Sequence, residues 1–418
     1  MSSLEAHMIS RRTFLRGGVA SLALWGLMPR TAIAGARDPR LLVVVLRGGL
    51  DGLAAVAPIG DPDYARLRGA IALPASGEGA GLPLDSLFAL NAAMPALHAL
   101  YQMGDALIVH AVHSPYRGRS HFDGQDVLES GLAGVARVED GWLNRALVQL
   151  PAAGRANPRG LAIGAMVPLL MRGAAPALSW IPKVNDLPLR QSTIARLHDL
   201  YAETDPVLAR AFAEGMEISR VAEADMPTSA PAPTQPRPAL QVPGARLNRE
   251  FTEAAEAAAR FLSTPDGPRI GVLSYNGWDT HANEGPLKGQ LAARLGGLDA
   301  AIHAFESGMG LAWKETIVAI VTEFGRTAQV NGTQGTDHGM ATAALLVGGA
   351  VKGGRVLADW PGLKEAALYE GRDLAPTRDL RTVLKGVLRD HLGVPAGALA
   401  GSIFPGSAAL PPLQGLVA

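Results

Sequence analysis

The sequence predicts an α/β layered fold built on a mainly parallel sheet. Three observations carry the prediction: continuous apolar runs of strand length, helical patterns between them, and ionisable residues where most of the runs end. A run apolar on both faces suits a strand covered by helices on each side. Strands alternating with helices give layered folds, and in such sheets functional groups collect at the carboxyl ends of the strands.

The first run is Leu41–Leu46, ending at Arg47-Gly48-Gly49-Leu50-Asp51-Gly52. Ala106–Val112 is the second and leads into polar residues. Arg269–Tyr275 leads into Asn276-Gly277-Trp278-Asp279, Thr316–Thr322 into Glu323, and Ala343–Val347 into Gly348-Gly349. The clearest helix places Leu287, Leu291, Leu295, Leu298, Ile302 and Phe305 on one face at spacings of three and four. A second, rich in alanine and glutamate, is predicted over Asn248–Leu262. The stretch Met226–Gly244 carries six prolines and reads as an extended excursion from one large domain, 35–418. No repeat of solenoid period is visible.

The chain begins differently. Ser10-Arg11-Arg12-Thr13-Phe14-Leu15-Arg16, a short apolar run and Ala32-Ile33-Ala34 read as a signal peptide over 1–34, cleaved near Ala34. Paired arginines before Phe-Leu point to the twin-arginine route and its export machinery, hence a periplasmic or secreted protein. The apolar run is shorter than the ~20 residues of a spanning helix, so no stable membrane span is expected after cleavage.

Composition narrows the chemistry. The 418 residues hold 38 basic and 38 acidic side chains and no cysteine. Residues 1–34 carry four arginines against one acid, so the rest of the chain has a net charge of −3. That balance argues against a nucleic-acid partner. Without cysteine there are no thiolate metal sites, iron–sulfur clusters or cysteine nucleophiles.

Oxygen and imidazole donors concentrate in four segments: Asp51 among glycines, Gly277-Trp278-Asp279-Thr280-His281, Thr322-Glu323-Phe324-Gly325-Arg326, and Gly335-Thr336-Asp337-His338-Gly339. Four carboxylates and two imidazoles make a ligand set for one or two divalent cations. Each segment has a plainer reading: Asp51 as a helix cap, Asp279 and His281 as a solvated turn, Glu323 with Arg326 as a structural ion pair. In a fifth segment, Ser120 with Asp123 forms a capping-box pattern. The same serine, at a helix N-terminus beside Arg117 and Arg119, is placed to serve as a nucleophile with guanidinium clamps for ester oxygens. His121 stays open as ligand, acid/base or surface residue. Neither a Gly-x-Gly-x-x-Gly nor a Gly-x-Ser-x-Gly pattern supports a dinucleotide site or a hydrolase elbow.

Taken in order, Arg-Gly-Gly-Leu-Asp-Gly (47–52), Ser-His-Phe-Asp (120–123), Gly-Trp-Asp-Thr-His (277–281), Thr-Glu-Phe-Gly-Arg-Thr (322–327) and Asp-His-Gly (337–339) resemble the bacterial family known as domain of unknown function 1501. That family itself resembles the alkaline phosphatase/sulfatase superfamily. The resemblance implies a three-layer α/β/α sandwich with a mainly parallel central sheet, alkaline phosphatase-like, and a metal site. On it, Asp51 matches an aspartate that binds one metal, Ser120 the nucleophile, and Asp279 with His281 the pair at the other metal. Glu323 stands at the strand end where the superfamily has Asp followed by His, with Phe324 in place of that histidine. Asp337 or His338 is then needed to complete the second site. An oxygen-rich site of this kind favours Ca²⁺, Mg²⁺ or Mn²⁺ over Zn²⁺.

The expected function is a metal-dependent hydrolase of phosphate or sulfate esters, on a small-molecule or polysaccharide substrate. Ser120 attacks, Arg119 or Arg326 holds the non-reacting oxygens, and Asp51, Asp279, His281, Glu323, Asp337 and His338 hold the metal. The alternative is a non-catalytic periplasmic or cell-surface binding protein with a degenerate metal site on the same fold.

Overall fold

The Leu41–Leu46 run lies inside β1 (Arg40–Arg47), and its alternation shows why both faces are apolar. Leu42, Val44 and Leu46 face one core, while Leu41, Val43 and Val45 face another. Each such side chain contributes roughly 1.5–3 kcal/mol relative to exposure, so a strand with no polar face is stable only between two layers.

The computed structural model describes residues 37–150, 160–164, 166–181, 213 and 244–418. The predicted signal at 1–34 and the Pro-rich stretch up to Pro243 lie outside the described residues. The fold is that of the unit Pro39–Ala418.

After β1 come α1 (Gly52–Ala55), β2 (Val56–Ala57), α2 (Tyr64–Arg68), β3 (Leu82–Pro83), β4 (Ala89–Leu90), α3 (Pro95–Met103), β5 (Ala106–His113), α4 (His121–Ser130) and α5 (Trp142–Val148). Then follow β6 (Gly160–Ile163), β7 (Ala177–Trp180), α6 (Ala245–Ser263), β8 (Ile270–Asn276), α7 (Gln290–Met309), β9 (Thr316–Thr322), β10 (Thr342–Val347), β11 (Arg355–Leu357), β12 (Arg378–Asp379) and α8 (Leu380–Asp390). The main sheet has the order β11-β5-β10-β9-β1-β8-β6-β7, with β12 also pairing β5. Helices α3, α6 and α7 fill one face through residues such as Leu100, Phe251, Phe261, Leu295 and Phe305. Residues of α5 and α8, among them Trp142, Leu147, Leu384 and Val387, fill the other with Phe404. The result is a three-layer α/β/α sandwich with a mainly parallel sheet, the class the sequence predicts.

Two details differ from the sequence expectation. Leu287 does not belong to the helix that its spacing suggested: Gly285 has φ +58° and α7 starts only at Gln290, so Leu287 sits in the preceding turn. More consequential is β10, which runs antiparallel to both β5 and β9 while every other pairing in this sheet is parallel. Segment 335–341 therefore precedes its strand instead of following one. Reversal of that strand brings its amino end to the edge where β1, β5, β8 and β9 finish, and so brings Asp337 and His338 to the other predicted segments.

Among the described residues, no helix is long and apolar enough to cross a membrane.

Candidate metal centre

Close backbone approach at that edge begins with Gly48 and Gly49, which follow β1 with φ of +121° and +76°. A β-carbon on Gly48 would lie 2.6 Å from the backbone nitrogen of Asp279, and one on Gly49 would press on the Phe324 ring. The turn after β1 thus packs directly on the turns after β8 and β9, and only glycine permits it. Arg326, fully buried, fastens the three together. Its Nε donates to Gly49 O at 2.9 Å and Nη1 to Thr336 O at 3.0 Å. Its Nη2 lies 2.6 Å from Gly48 O, 3.0 Å from Trp278 O and 2.5 Å from Asp279 Oδ1.

Asp279 Oδ1 is the hub of the site. Nε2 of His281 lies 3.1 Å from it, Nε2 of His338 3.2 Å, and Nε2 of His121 3.4 Å. One ligand atom each from His121, Asp279 and His338 fall within 4.8 Å of one another. His281 Nε2 is 3.0 Å from His338 Nε2. His121 enters from the first turn of α4, where Ser120 caps the helix by accepting from Asp123 N at 3.4 Å. Phe324 forms the apolar floor, with ring centroids 4.8 Å from His121 and 5.1 Å from His338.

The other nitrogen of each ring is held. His121 Nδ1 donates to Glu323 Oε1 at 2.8 Å, His281 Nδ1 to Asp337 Oδ1 at 2.9 Å, and His338 Nδ1 to Arg119 O at 2.8 Å. An acceptor at Nδ1 fixes the proton there, so the neutral ring presents a lone pair at Nε2. Three lone pairs then converge on a carboxylate oxygen, which is an electron-rich arrangement that calls for a cation. Metal-binding histidines are oriented in this way, by carboxylates and backbone carbonyls at the far nitrogen. The fit is supported by an orphan: His121 Nε2 is buried and has no hydrogen-bond partner, although Asp279 Oδ1 is near in distance.

Electrostatics favour the charged forms of the acids. Burial pushes the Asp279 carboxyl up, but hydrogen bonding and attraction from the Arg326 guanidinium outweigh it and hold it down at about 2. Burial also opposes ionisation of Glu323, and hydrogen bonds from His121, Gly48 and Gln125 outweigh it, leaving that carboxyl below its usual range. The hydrogen bond from His281 holds Asp337 down. Glu323 raises His121 against the effect of burial, whereas burial lowers His338.

The sequence-predicted residues separate into groups. Asp279, His281 and His338 meet, and His121, left open by sequence, joins them. Glu323 and Asp337 lie one step back, each holding an imidazole. Glu323 is fully buried, with Gly48 N, Gln125 Nε2 and His121 on Oε1 and Thr322 Oγ1 at 3.0 Å from Oε2. Asp51 stands elsewhere. It caps α1, Oδ1 accepting from Leu53 N and Ala54 N, while Oδ2 is paired with the fully buried guanidinium of Arg68. Arg326 is engaged throughout by the contacts above. Arg119 pairs with Glu370 at 2.9 Å and Asp373 at 3.5 Å, and contributes its carbonyl to His338. Sequence reading missed Arg68 and Glu284 altogether and gave Thr336, inside the fourth segment, no role. Arg68 sits on a short helix with nothing local to mark it, and Glu284 lies in the loop before α7.

Comparison with solved structures gives distant likenesses. The chain is similar to a phosphonate monoester hydrolase of Agrobacterium radiobacter, with 11% identity and TM-score 0.38 over 85% of this chain and 74% of that one. It is similar to a mutant TAB5 alkaline phosphatase with bound magnesium, with 12% identity and TM-score 0.36 over 75% and 92%. A protein in the alkaline phosphatase superfamily from Vibrio parahaemolyticus gives 12% identity and TM-score 0.32 over 75% and 60%. No curated protein matches the chain by sequence. The family model described as "Protein of unknown function (DUF1501)" matches residues 102–394, about two thirds of the sequence, and the chain belongs to that family.

Proposed function

We propose that the protein is an exported, metal-dependent hydrolase of phosphate or sulfate esters. The observation that supports this most is the convergence of three imidazole Nε2 atoms on Asp279 Oδ1, each ring turned by an acceptor at Nδ1. A donor set with this much imidazole shifts the preference from Ca²⁺, Mg²⁺ or Mn²⁺ towards Zn²⁺. When bound, such an ion polarises an ester oxygen and lowers the pKa of a hydroxyl or water beside it. The chain supplies the remaining parts. His121, Asp279 and His338 would hold the ion, with His281 Nε2 beside them, and Glu323, Asp337 and the Arg119 carbonyl fix the tautomers. Phe324 excludes water from beneath the rings. Ser120, directly before His121, is the candidate nucleophile. Hydrolysis breaks the bond between ester oxygen and phosphorus or sulfur, and water supplies the oxygen of the released acid and the proton of the alcohol.

A second reading, a non-catalytic exported metal-binding protein, is favoured by one observation. Arg326 and Arg119, the candidate clamps for ester oxygens, already have internal partners. The two readings separate on a zinc-loaded preparation tested against aryl phosphate, phosphodiester and sulfate esters, with Ser120→Ala and His121→Ala alongside. Turnover lost in both variants supports the hydrolase. Bound zinc with no turnover on any ester supports the binding protein, and unchanged turnover in His121→Ala overturns the metal-dependent mechanism.

A further inference from the structure

The carboxylates divide unevenly between two places, a half-open one at the imidazoles and a buried one at Asp51. At the imidazole cluster, Asp279, Glu323 and Asp337 supply three negative charges and Arg326 one positive charge. Nearby Arg372 is balanced by Asp373, and Arg119 by Glu370. One divalent ion therefore brings the cluster to neutrality, and a second has no counter-charge there.

The other place is centred on Asp51. Its Oδ1 is used by two backbone amides and its Oδ2 by Arg68, whose Nη1 also donates to Thr327 O at 3.2 Å. Glu284 feels the Asp51 charge and accepts from Thr336 Oγ1 at 2.8 Å. Burial and the Asp51 charge push the Glu284 carboxyl well up, which disfavours a second negative charge beside Asp51. Asp51 and Arg68 neutralise each other. Unsatisfied atoms remain there: Arg68 Nε and Glu284 Oε1 are buried without partners.

We propose that the protein holds a single metal ion, at His121, Asp279 and His338, and that Arg68 stands as a fixed cation at Asp51, in place of a second ion. The proposal rests on the metal-centre reading above and deepens it. A second ion at Asp51 has to displace a fully buried guanidinium, leaving an unpaired charge in the interior. Thr336 links the two places. Its hydroxyl binds Glu284 and its carbonyl accepts from Arg326, so the Asp51 network braces the metal centre without entering it.

Metal content distinguishes the possibilities. Purified protein is reconstituted with Zn²⁺, dialysed and measured by plasma mass spectrometry. The expected values are one ion per chain for the wild type and none for His121→Ala. Two ions in the wild type, with one retained in His121→Ala, overturn the single-ion proposal and leave the metal centre standing. No ion in the wild type overturns the metal-centre reading itself, and the proposal with it. For Arg68, the probe is Mn²⁺ followed by electron paramagnetic resonance. Arg68→Met, checked for folding by circular dichroism, is expected to bind one more equivalent than the wild type. A folded Arg68→Met with unchanged stoichiometry overturns the assignment to Arg68. The wild-type measurement decides the single-ion claim even if that variant fails to fold.

Discussion

His281 and His338 face each other nitrogen to nitrogen, Nε2 to Nε2 at 3.0 Å, while Asp337 and the Arg119 carbonyl hold their opposite nitrogens. Two neutral rings so arranged point lone pairs at each other, and a shared cation relieves the repulsion. Metal should therefore stabilise the folded state by mass action, by about 2.7 kcal/mol at a hundredfold excess over Kd. Thermal unfolding with Zn²⁺ and with a chelator measures this. A Tm raised by zinc and lowered by chelation is expected, and an identical Tm under both conditions refutes it.

Glu323 never reaches the hub, yet it sets the direction of His121. Glu323→Gln keeps the shape and removes the charge, so the variant should retain the fold and lose metal affinity by roughly 10–100-fold. Competition with a chromophoric chelator reads the change directly. Wild-type affinity would show that His121 needs no such support.

Arg326 has five acceptors in reach, four of them backbone carbonyls. A lysine has three donors on a single nitrogen and cannot span them. Arg326→Lys should cost about 1–3 kcal/mol of stability, because carbonyls that the guanidinium satisfies are left without a donor. Urea unfolding tests this, and a loss below about 1 kcal/mol would show that the guanidinium is not the fastening.

Ser120 has a structural duty that its proposed chemistry must be separated from. Ser120→Ala loses the cap and should cost about 1 kcal/mol, whereas glycine at an N-cap costs only a few tenths. If Ser120 is the nucleophile, both variants lose ester turnover although only one loses appreciable stability. Turnover retained in Ser120→Gly would reassign the nucleophile.

His110 gives a pH dependence away from the centre. It is fully buried, Nε2 donates to Val56 O at 3.0 Å and Nδ1 accepts from Ala111 N at 2.8 Å, so the fold requires the neutral ring. Burial lowers its pKa from 6.5 to about 4. The depressed value means that its stabilisation is present above pH 6.5 and is lost as pH falls towards about 4. The full loss is on the order of 3 kcal/mol. His110→Gln should flatten this part of the acid limb in unfolding curves measured across that window, and an unchanged slope would assign it to other groups.

Much of the frame is legible in sequence because burial on two faces leaves a plain signature. All five apolar runs are strands, and the two predicted helices are helices. Direction is not legible: nothing in Ala343–Val347 says that β10 runs against its neighbours, because side-chain alternation is the same either way. At the site, residue type was informative and orientation was not. Asp51 and Asp279 both follow a buried strand and a glycine-rich turn. Only the fold reveals that Arg68 meets the first and three imidazoles the second. Glu323 likewise has the chemistry of a ligand, but the amide of Gly48 and the ring of His121 meet it before any ion does. His121 was obscured by its neighbour Ser120, whose capping pattern explains the segment on local grounds alone.

The position of β1 also bears on how the molecule acquires its shape. Leu41 pairs with Ile270 on one side and Ile317 on the other, so the central strand is made first and its partners more than two hundred residues later. Contact order is correspondingly high, and loop closure must precede any reward from pairing. During synthesis an apolar, β-prone segment therefore emerges with nothing to bind, a state that favours aggregation or chaperone capture. Refolding from denaturant should be slow and worsen with protein concentration, because the strand that anchors the finished sheet pairs only with segments far along the chain.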